Sequence, residues 1–271
     1  MKLKIICSNA RVGDRAAGLV DGARLTAREL QRRTGLAPLY VGVGSTEPVD
    51  DNWPQALEEA RTTLTAMQQA THDALSTPGL SLFTNNTCSI SIATLPVAAQ
   101  RLPDLKVLWI DAHGDYNNPD STQTGYLGGM ALAAATGSWD SGYGSGVKPT
   151  NVALVGARDI DETERRLIDT DGVSVIAPQT VSPTALRDFV GDDPVWLHID
   201  WDVLEPGNIP ADYEVPNGLM PQQVSDILAA LTDARIIAVE LAEFQASPTD
   251  NAVNRRALDC LLDTISPLID D

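Results

Sequence analysis

Hydrophobic and polar positions fall into two rhythms that alternate almost from one end of the chain to the other. Short apolar runs rich in Val, Ile and Leu predict eight strands, "LKIIC" (3–7), "PLYVGVG" (38–44), "LSLFTN" (80–85), "KVLWIDA" (106–112), "NVALVGA" (151–157), "VSVIA" (173–177), "VWLHIDWDV" (195–203) and "RIIAVELA" (235–242). Between them, "DGARLTARELQRRTG" (21–35), "PQALEEARTTLTAMQQATHDALS" (54–76), "SISIATLPVAAQRL" (89–102), "DETERRLIDTDG" (161–172), "PQQVSDILAALTDA" (221–234) and "NAVNRRALDCLLDTI" (251–265) carry apolar residues at helical spacing. Strands alternating with helices in this way call for a parallel sheet with helices on both faces. The expected fold is α/β, a three-layer α/β/α arrangement with a mostly parallel central sheet of about eight strands, in a single domain over residues 1–271. No repeat or low-complexity linker interrupts the pattern, and the Gly/Ser-rich "GSWDSGYGSG" (137–146) reads as a mobile surface loop.

Composition narrows the partners. A hydrophobic content of 43% over 271 residues can fill one large core. Asp and Glu outnumber Lys and Arg by 37 to 19, a net charge of −18, and are spread along the chain, so the surface repels phosphate backbones and anionic lipid. Nucleic acid and membrane are therefore not expected as partners, whereas a metal cation or a cationic small molecule is drawn in. The opening tract "MKLKIICSN" reads as a first strand rather than a signal peptide, and no apolar run reaches membrane-spanning length. Cys7, Cys88 and Cys260 are odd in number and far apart, which predicts a reducing, cytoplasmic setting and no disulfide frame.

In open parallel sheets, ligands bind beyond the carboxyl ends of the strands. The polar tracts at those ends are "TNNTCS", "DAHGDYN", "ARDIDETE", "DWDVLEP" and "ELAEFQ". Asp111, His113 and Asp115 alternate with Ala112 and Gly114, so an extended backbone would turn all three side chains to one side, and Asp200 and Asp202 repeat the spacing. Each aspartate alone could be a helix cap or a turn residue. Four carboxylates and an imidazole at one sheet edge, however, repel one another unless cations sit among them. That oxygen-rich set with one nitrogen suits Mn²⁺ better than tetrahedral zinc.

These motifs resemble the ureohydrolase family, the arginases, agmatinases and formiminoglutamases. The family's Asp-Ala-His-x-Asp is intact as "DAHGD", its Ser-x-Asp-x-Asp-x-x-Asp-Pro appears as "HIDWDVLEP" with His198 for Ser and Glu205 for the last Asp, and its late Glu matches Glu243 in "ELAEF". Aligning "SISIATL" with the family's Ser-Ile-Ala-Ile-Gly-Thr-Leu puts Cys88 where a ligand histidine belongs. The resemblance implies a hydrolase with two Mn²⁺ ions held by Cys88, Asp111, His113, Asp115, Asp200 and Asp202. A thiolate can serve as a ligand because the ion lowers the thiol's pKa, although a buried cysteine can also be mere packing and the first metal weakened or lost. Asp115 is implied to orient the attacking hydroxide and carry its proton, and Glu243 to hold the guanidino nitrogens.

A second departure lies in "TGYLGGM", where the family's proton-shuttling histidine is replaced by Gly128, while Tyr126 stands for a common Asn. The arginase branch grips the amino-acid end of its substrate, and the matching positions here are Asn117 and Thr124 for the carboxylate and Asp161 and Glu164 for the ammonium, each of which is by itself an ordinary turn, cap or first-turn residue. A small-molecule amino-acid substrate follows. With an arginase grip, a cysteine ligand and no shuttle, the chain resembles the family's Nω-hydroxy-L-arginine hydrolases, and the resemblance implies cleavage of that substrate to hydroxyurea and L-ornithine, in D-cycloserine biosynthesis. The alternatives are a ureohydrolase acting on arginine, agmatine or formiminoglutamate, and a non-catalytic descendant that uses the pocket for binding. His198 should face the metals, His72 should be solvated, and Cys7 and Cys260 read as core. The chain stops at "SPLIDD", without the tail through which arginases trimerise, so a monomer is favoured over a trimer.

Overall fold

A computed structural model describes residues 3–270; Met1, Lys2 and Asp271, at the ends of the "MKLK" and "SPLIDD" tracts, lie outside it. Eight strands form one sheet, β1 (Leu3–Ser8), β2 (Leu39–Val41), β3 (Leu80–Asn85), β4 (Lys106–Ile110), β5 (Val152–Val155), β6 (Ser174–Ile176), β7 (Pro194–Asp200) and β8 (Arg235–Ala242). Their order is β2-β1-β3-β8-β7-β4-β5-β6 and every pairing is parallel. Successive residues of each inner strand feed opposite faces. Phe83, Trp109 and Trp196 enter one core, Leu82, Leu108 and Leu197 the other, as a period of two demands when both faces are covered.

Helices α2 (Trp53–Leu75), α3 (Ser91–Arg101), α4 (Ala131–Thr136) and α5 (Glu162–Asp171) cover the first face, through residues such as Leu64, Ile92, Leu132 and Ile168. Helices α1 (Leu19–Thr34), α6 (Pro183–Val190), α7 (Pro221–Ala230) and α8 (Asn251–Ile269) cover the second, through Leu30, Leu186, Leu228 and Leu261. The three-layer reading holds, and no described helix is long and apolar enough to cross a membrane.

Several local expectations are corrected. Helices α4 and α6 were not foreseen: "ALAAAT" is short and nearly all buried, so it shows no polar face, and α6 buries only Leu186 and Val190. The "GSWDSGYGSG" loop is pinned rather than loose, because Trp139 is buried, meets Trp53 edge-on at 5.3 Å and donates its indole N–H to the Met130 carbonyl at 3.0 Å. Cys7 is in the core, but Cys260 is only half-buried at its margin.

Helix α1 also fixes the segment after β8. Gly22 lies so close to the Phe244 carbonyl that a Cβ there would sit 1.7 Å from its oxygen. Because backbone rather than a flexible side chain is in the way, Gly22→Ala is expected to destabilise the protein by about 1–3 kcal/mol, read as a lowered midpoint of denaturant unfolding; an unchanged midpoint would mean that α1 and this segment are not locked together.

Candidate metal centre and substrate pocket

The four middle strands, β3, β8, β7 and β4, are contiguous, and their carboxyl ends deliver the polar side chains to one place. Cys88 opens a one-turn 3₁₀ helix just beyond β3, Asp111 follows β4, Asp200 ends β7 and Glu243 follows β8. Helix α5 beyond β5 adds Asp161 as its N-cap and Glu164 in its first turn.

The aspartates do not converge by strand alternation as expected. Strand β4 ends at Ile110, and the chain then bends, with Asp115 in left-handed conformation at φ 46°. Asp202 sits in a 3₁₀ turn (Trp201–Val203) rather than on β7. Side-chain to backbone hydrogen bonds shape both bends. Asp111 accepts from the His113 N–H at 2.7 Å, Asp200 from the Asp202 N–H at 2.8 Å, and Asp202 from the Ala112 N–H at 3.1 Å, which ties the two tracts together. The aspartates are thus both turn-formers and members of the cluster.

Among the described residues, three sets of donor atoms lie within 4.8 Å of one another: Asp111, His113 and Asp202; Cys88, Asp200 and Glu243; and Cys88, Asp111 and His198. His113 Nδ1 is 2.9 Å from Asp202 Oδ2 and 3.5 Å from Asp111 Oδ1. Burial and the neighbouring carboxylates push Asp115, Asp200 and Asp202 up from the usual carboxylate range. Burial acts the same way on Asp111, but the His113 hydrogen bond and charge outweigh it and hold this carboxyl low. His113, although partly buried, is driven up by Asp202 and Asp111. The upward shifts of His113, Asp115, Asp200 and Asp202 express one demand, for positive charge among crowded carboxylates. Asp115 Oδ2 and Glu243 Oε2 are buried without a hydrogen-bond partner. Such groups cost free energy unless a ligand or cation satisfies them. An oxygen-rich donor set with two imidazoles and one thiol, and orphaned carboxylate oxygens among them, fits divalent cations.

Cys88 is 3% exposed, with Sγ 3.1 Å from Asp200 Oδ2 and 3.3 Å from His198 Nε2. Burial and the Asp200 carboxylate push its thiol well up, so a cation is needed to make it a thiolate. His198 does face the cluster, and it is held from behind. Its ring stacks on Trp109 at 3.6 Å between centroids, and Nδ1 meets Glu240 Oε2 at 2.9 Å. Glu240, its direct register partner across β7 and β8, also accepts from Ser91 and Thr94 at 2.6 Å each. Sequence reasoning missed Glu240, although a carboxylate inside the apolar run "RIIAVELA" was a visible signal.

Above the cluster opens a half-enclosed cavity of about 260 Å³. Asn117, Thr124, Asp161, Glu164 and Glu243 all line it, together with Asp159, Asp212 and Tyr213, which were not foreseen because nothing in their local pattern marks them. Asp161 fills two roles. One carboxylate oxygen caps α5, accepting from Thr163 and Glu164 N–H at 2.8 and 2.9 Å, and the other accepts from Asn117 Nδ2 at 3.1 Å. Glu164, which accepts from the Tyr116 N–H, is raised by burial to about 7. Glu205 lies apart from the cluster and braces the following loop through the Gly218 N–H; His72 is exposed.

An open parallel sheet with an acidic, cation-demanding cluster at its carboxyl edge is the framework of a metal-dependent hydrolase. The arginase family profile matches residues 27–261, and the chain belongs to that family of amidinohydrolases. It is 50% identical, over 99% of its own length and 97% of the relative's, to the N(omega)-hydroxy-L-arginine amidinohydrolase of Streptomyces lavendulae. It is 32% identical to the arginase of Bacillus subtilis over 55% of each chain. The crystal structure of arginase from Bacillus subtilis superposes with a TM-score of 0.82 at 24% identity, covering 100% of this chain and 99% of that one, which establishes the fold.

If cations relieve the carboxylate repulsion, Mn²⁺ should raise the melting temperature of the chelator-treated protein, and EDTA should lower it again. At free metal about 100-fold above Kd the gain is about 2.7 kcal/mol. A melting curve indifferent to Mn²⁺ would mean that protons alone satisfy the cluster.

Proposed function

We propose that the protein hydrolyses Nω-hydroxy-L-arginine to hydroxyurea and L-ornithine, as a step of D-cycloserine biosynthesis, using two manganese ions. The observation that carries the reading is the match over nearly the whole of both chains to the Streptomyces lavendulae amidinohydrolase, whereas the Bacillus subtilis arginase matches over about half. Cys88, Asp111, His113, Asp115, Asp200 and Asp202 would hold the metal, which supplies hydroxide at neutral pH by lowering the pKa of water. Asp115, whose Oδ2 has no partner within the protein, orients the attacking water and takes up its proton.

Glu243 is held at φ 64° with Oε1 already accepting from the Cys88 N–H at 3.1 Å. Its unpartnered Oε2 is left to bind the guanidino nitrogens by a charge-assisted bond and set the reacting carbon in place. Asn117 and Thr124 bind the α-carboxylate, and Asp161 and Glu164 the α-ammonium, at the cavity wall they share. An N-hydroxyguanidine is far less basic than a guanidine, so its carbon is the better electrophile near neutral pH, which suits a site where residue 128 offers no side-chain acid.

Protein purified with Mn²⁺ and assayed side by side should release ornithine from Nω-hydroxy-L-arginine and little from L-arginine. Equal turnover of the two would make it an arginase, and ornithine from neither, with manganese absent by elemental analysis, would leave a binding protein. Asp161→Asn keeps an N-cap but loses the charge, and is expected to raise KM about tenfold or more while kcat changes little; an unchanged KM would remove Asp161 from the grip.

A further inference from the structure

Gly128 is not a glycine for the sake of its backbone, since its φ is not in the left-handed region. What excludes a side chain there is Tyr126. A Cβ on residue 128 would lie 2.5 Å from Tyr126 Cε1, 2.7 Å from Cζ and 2.9 Å from the hydroxyl oxygen. The phenol therefore occupies the space into which any side chain at 128 would grow. It is 9% exposed, lines the cavity and donates its hydroxyl proton to Glu243 Oε1 at 3.1 Å. The ring is held in place, with the Arg15 guanidinium 5.3 Å above it and the Tyr126 N–H bonded to Thr124 Oγ1 at 3.2 Å.

Two consequences follow for the pocket. Glu243 Oε1 is saturated by two donors, the Cys88 N–H and the Tyr126 hydroxyl, so only Oε2 is free to meet a substrate. The Tyr126 proton is committed to Glu243, so the phenolic oxygen presents lone pairs to the cavity and acts as an acceptor. A substrate that carries a hydroxyl on its guanidine offers a donor to match it, whereas an unsubstituted guanidine lacks the hydroxyl that would extend to that acceptor.

We propose that Tyr126 and Gly128 form one device, in which the phenol fills the space above Gly128, holds Glu243 and makes Tyr126 the residue that selects an N-hydroxylated guanidine. The proposal rests on the reading of the function given above, and its steric half stands without it. A site that pairs a substrate hydroxyl discriminates strongly, because the partner group is left unsatisfied with any substrate that lacks it.

The test combines kinetics with unfolding. Tyr126→Phe keeps the ring over Gly128 and removes only the hydroxyl, and kcat/KM for Nω-hydroxy-L-arginine is expected to fall by about fivefold to 100-fold, with the ratio of that value to the one for L-arginine falling too. A retained ratio overturns the selectivity. Gly128→Ala is expected to lower the melting temperature in the Tyr126 protein but not in a Tyr126→Ala background, a coupling read from the double-mutant cycle. Equal shifts in both backgrounds overturn the steric device. Wild-type protein that leaves Nω-hydroxy-L-arginine untouched overturns the functional reading and the selectivity with it, whereas the unfolding cycle judges the Tyr126–Gly128 contact whatever the substrate proves to be.

Discussion

Mutual repulsion among buried carboxylates is the constraint around which this molecule is built. Asp111, Asp115, Asp200, Asp202 and Glu243 are each under a tenth exposed and share the edge of one sheet. Charges so placed are tolerable only when neutralised. Burial and the neighbouring carboxylates raise Asp115 and Asp200 out of the usual carboxylate range, and the carboxylates Asp202 and Asp111 raise His113. The same demand for positive charge is what makes the place a candidate binding site for cations. The sheet holds these groups against their repulsion because its two cores, filled by residues such as Trp109 and Trp196 on one side and Leu108 and Leu197 on the other, are apolar, close-packed and fully covered by helices.

Local backbone cost is concentrated at the same edge. Among the described residues, Asp115, Asn217 and Glu243 are the non-glycine residues with positive φ. Two of the three belong to the site. A left-handed conformation at an acidic side chain is sustained only where its surroundings over-determine it. For Asp115 that support is its carbonyl, which accepts from Leu132 and Ala133 at the start of α4. For Glu243 it is the close approach of Gly22 in α1 to the next residue, together with the two hydrogen bonds to Oε1.

The Cys88 backbone and the Tyr126 phenol are linked through Glu243, whose Oε1 accepts from both. Changes at 126 and 128 therefore bear on one carboxylate, which the Cys88 backbone also holds. Behind Cys88, His198 is fixed between Trp109 and Glu240, with no exposure to solvent. A buried imidazole–carboxylate pair is stable only when its remaining lone pairs and protons are satisfied. Ser91, Thr94 and the Cys88 sulfur provide those partners.

The alternation of apolar runs with helical spacing was enough to specify a parallel, doubly covered sheet, because periods of two and of 3.6 are local properties of a chain. The strand-end motifs likewise marked Asp111, His113, Asp115, Asp200 and Asp202 as a cation cluster, since the spacing of charge along a few residues is also local, even though bends rather than strand alternation bring these side chains together. Helices α4 and α6 left no such trace: a buried alanine helix has no polar face, and a short helix covers too little surface to repeat a pattern. Only the tertiary structure could place Glu240 beside His198, Asp212 and Tyr213 over the cavity, and the ring of Tyr126 against Gly128. These contacts join segments with no pattern in common, and their meaning lies in distances that a linear order of residues does not contain.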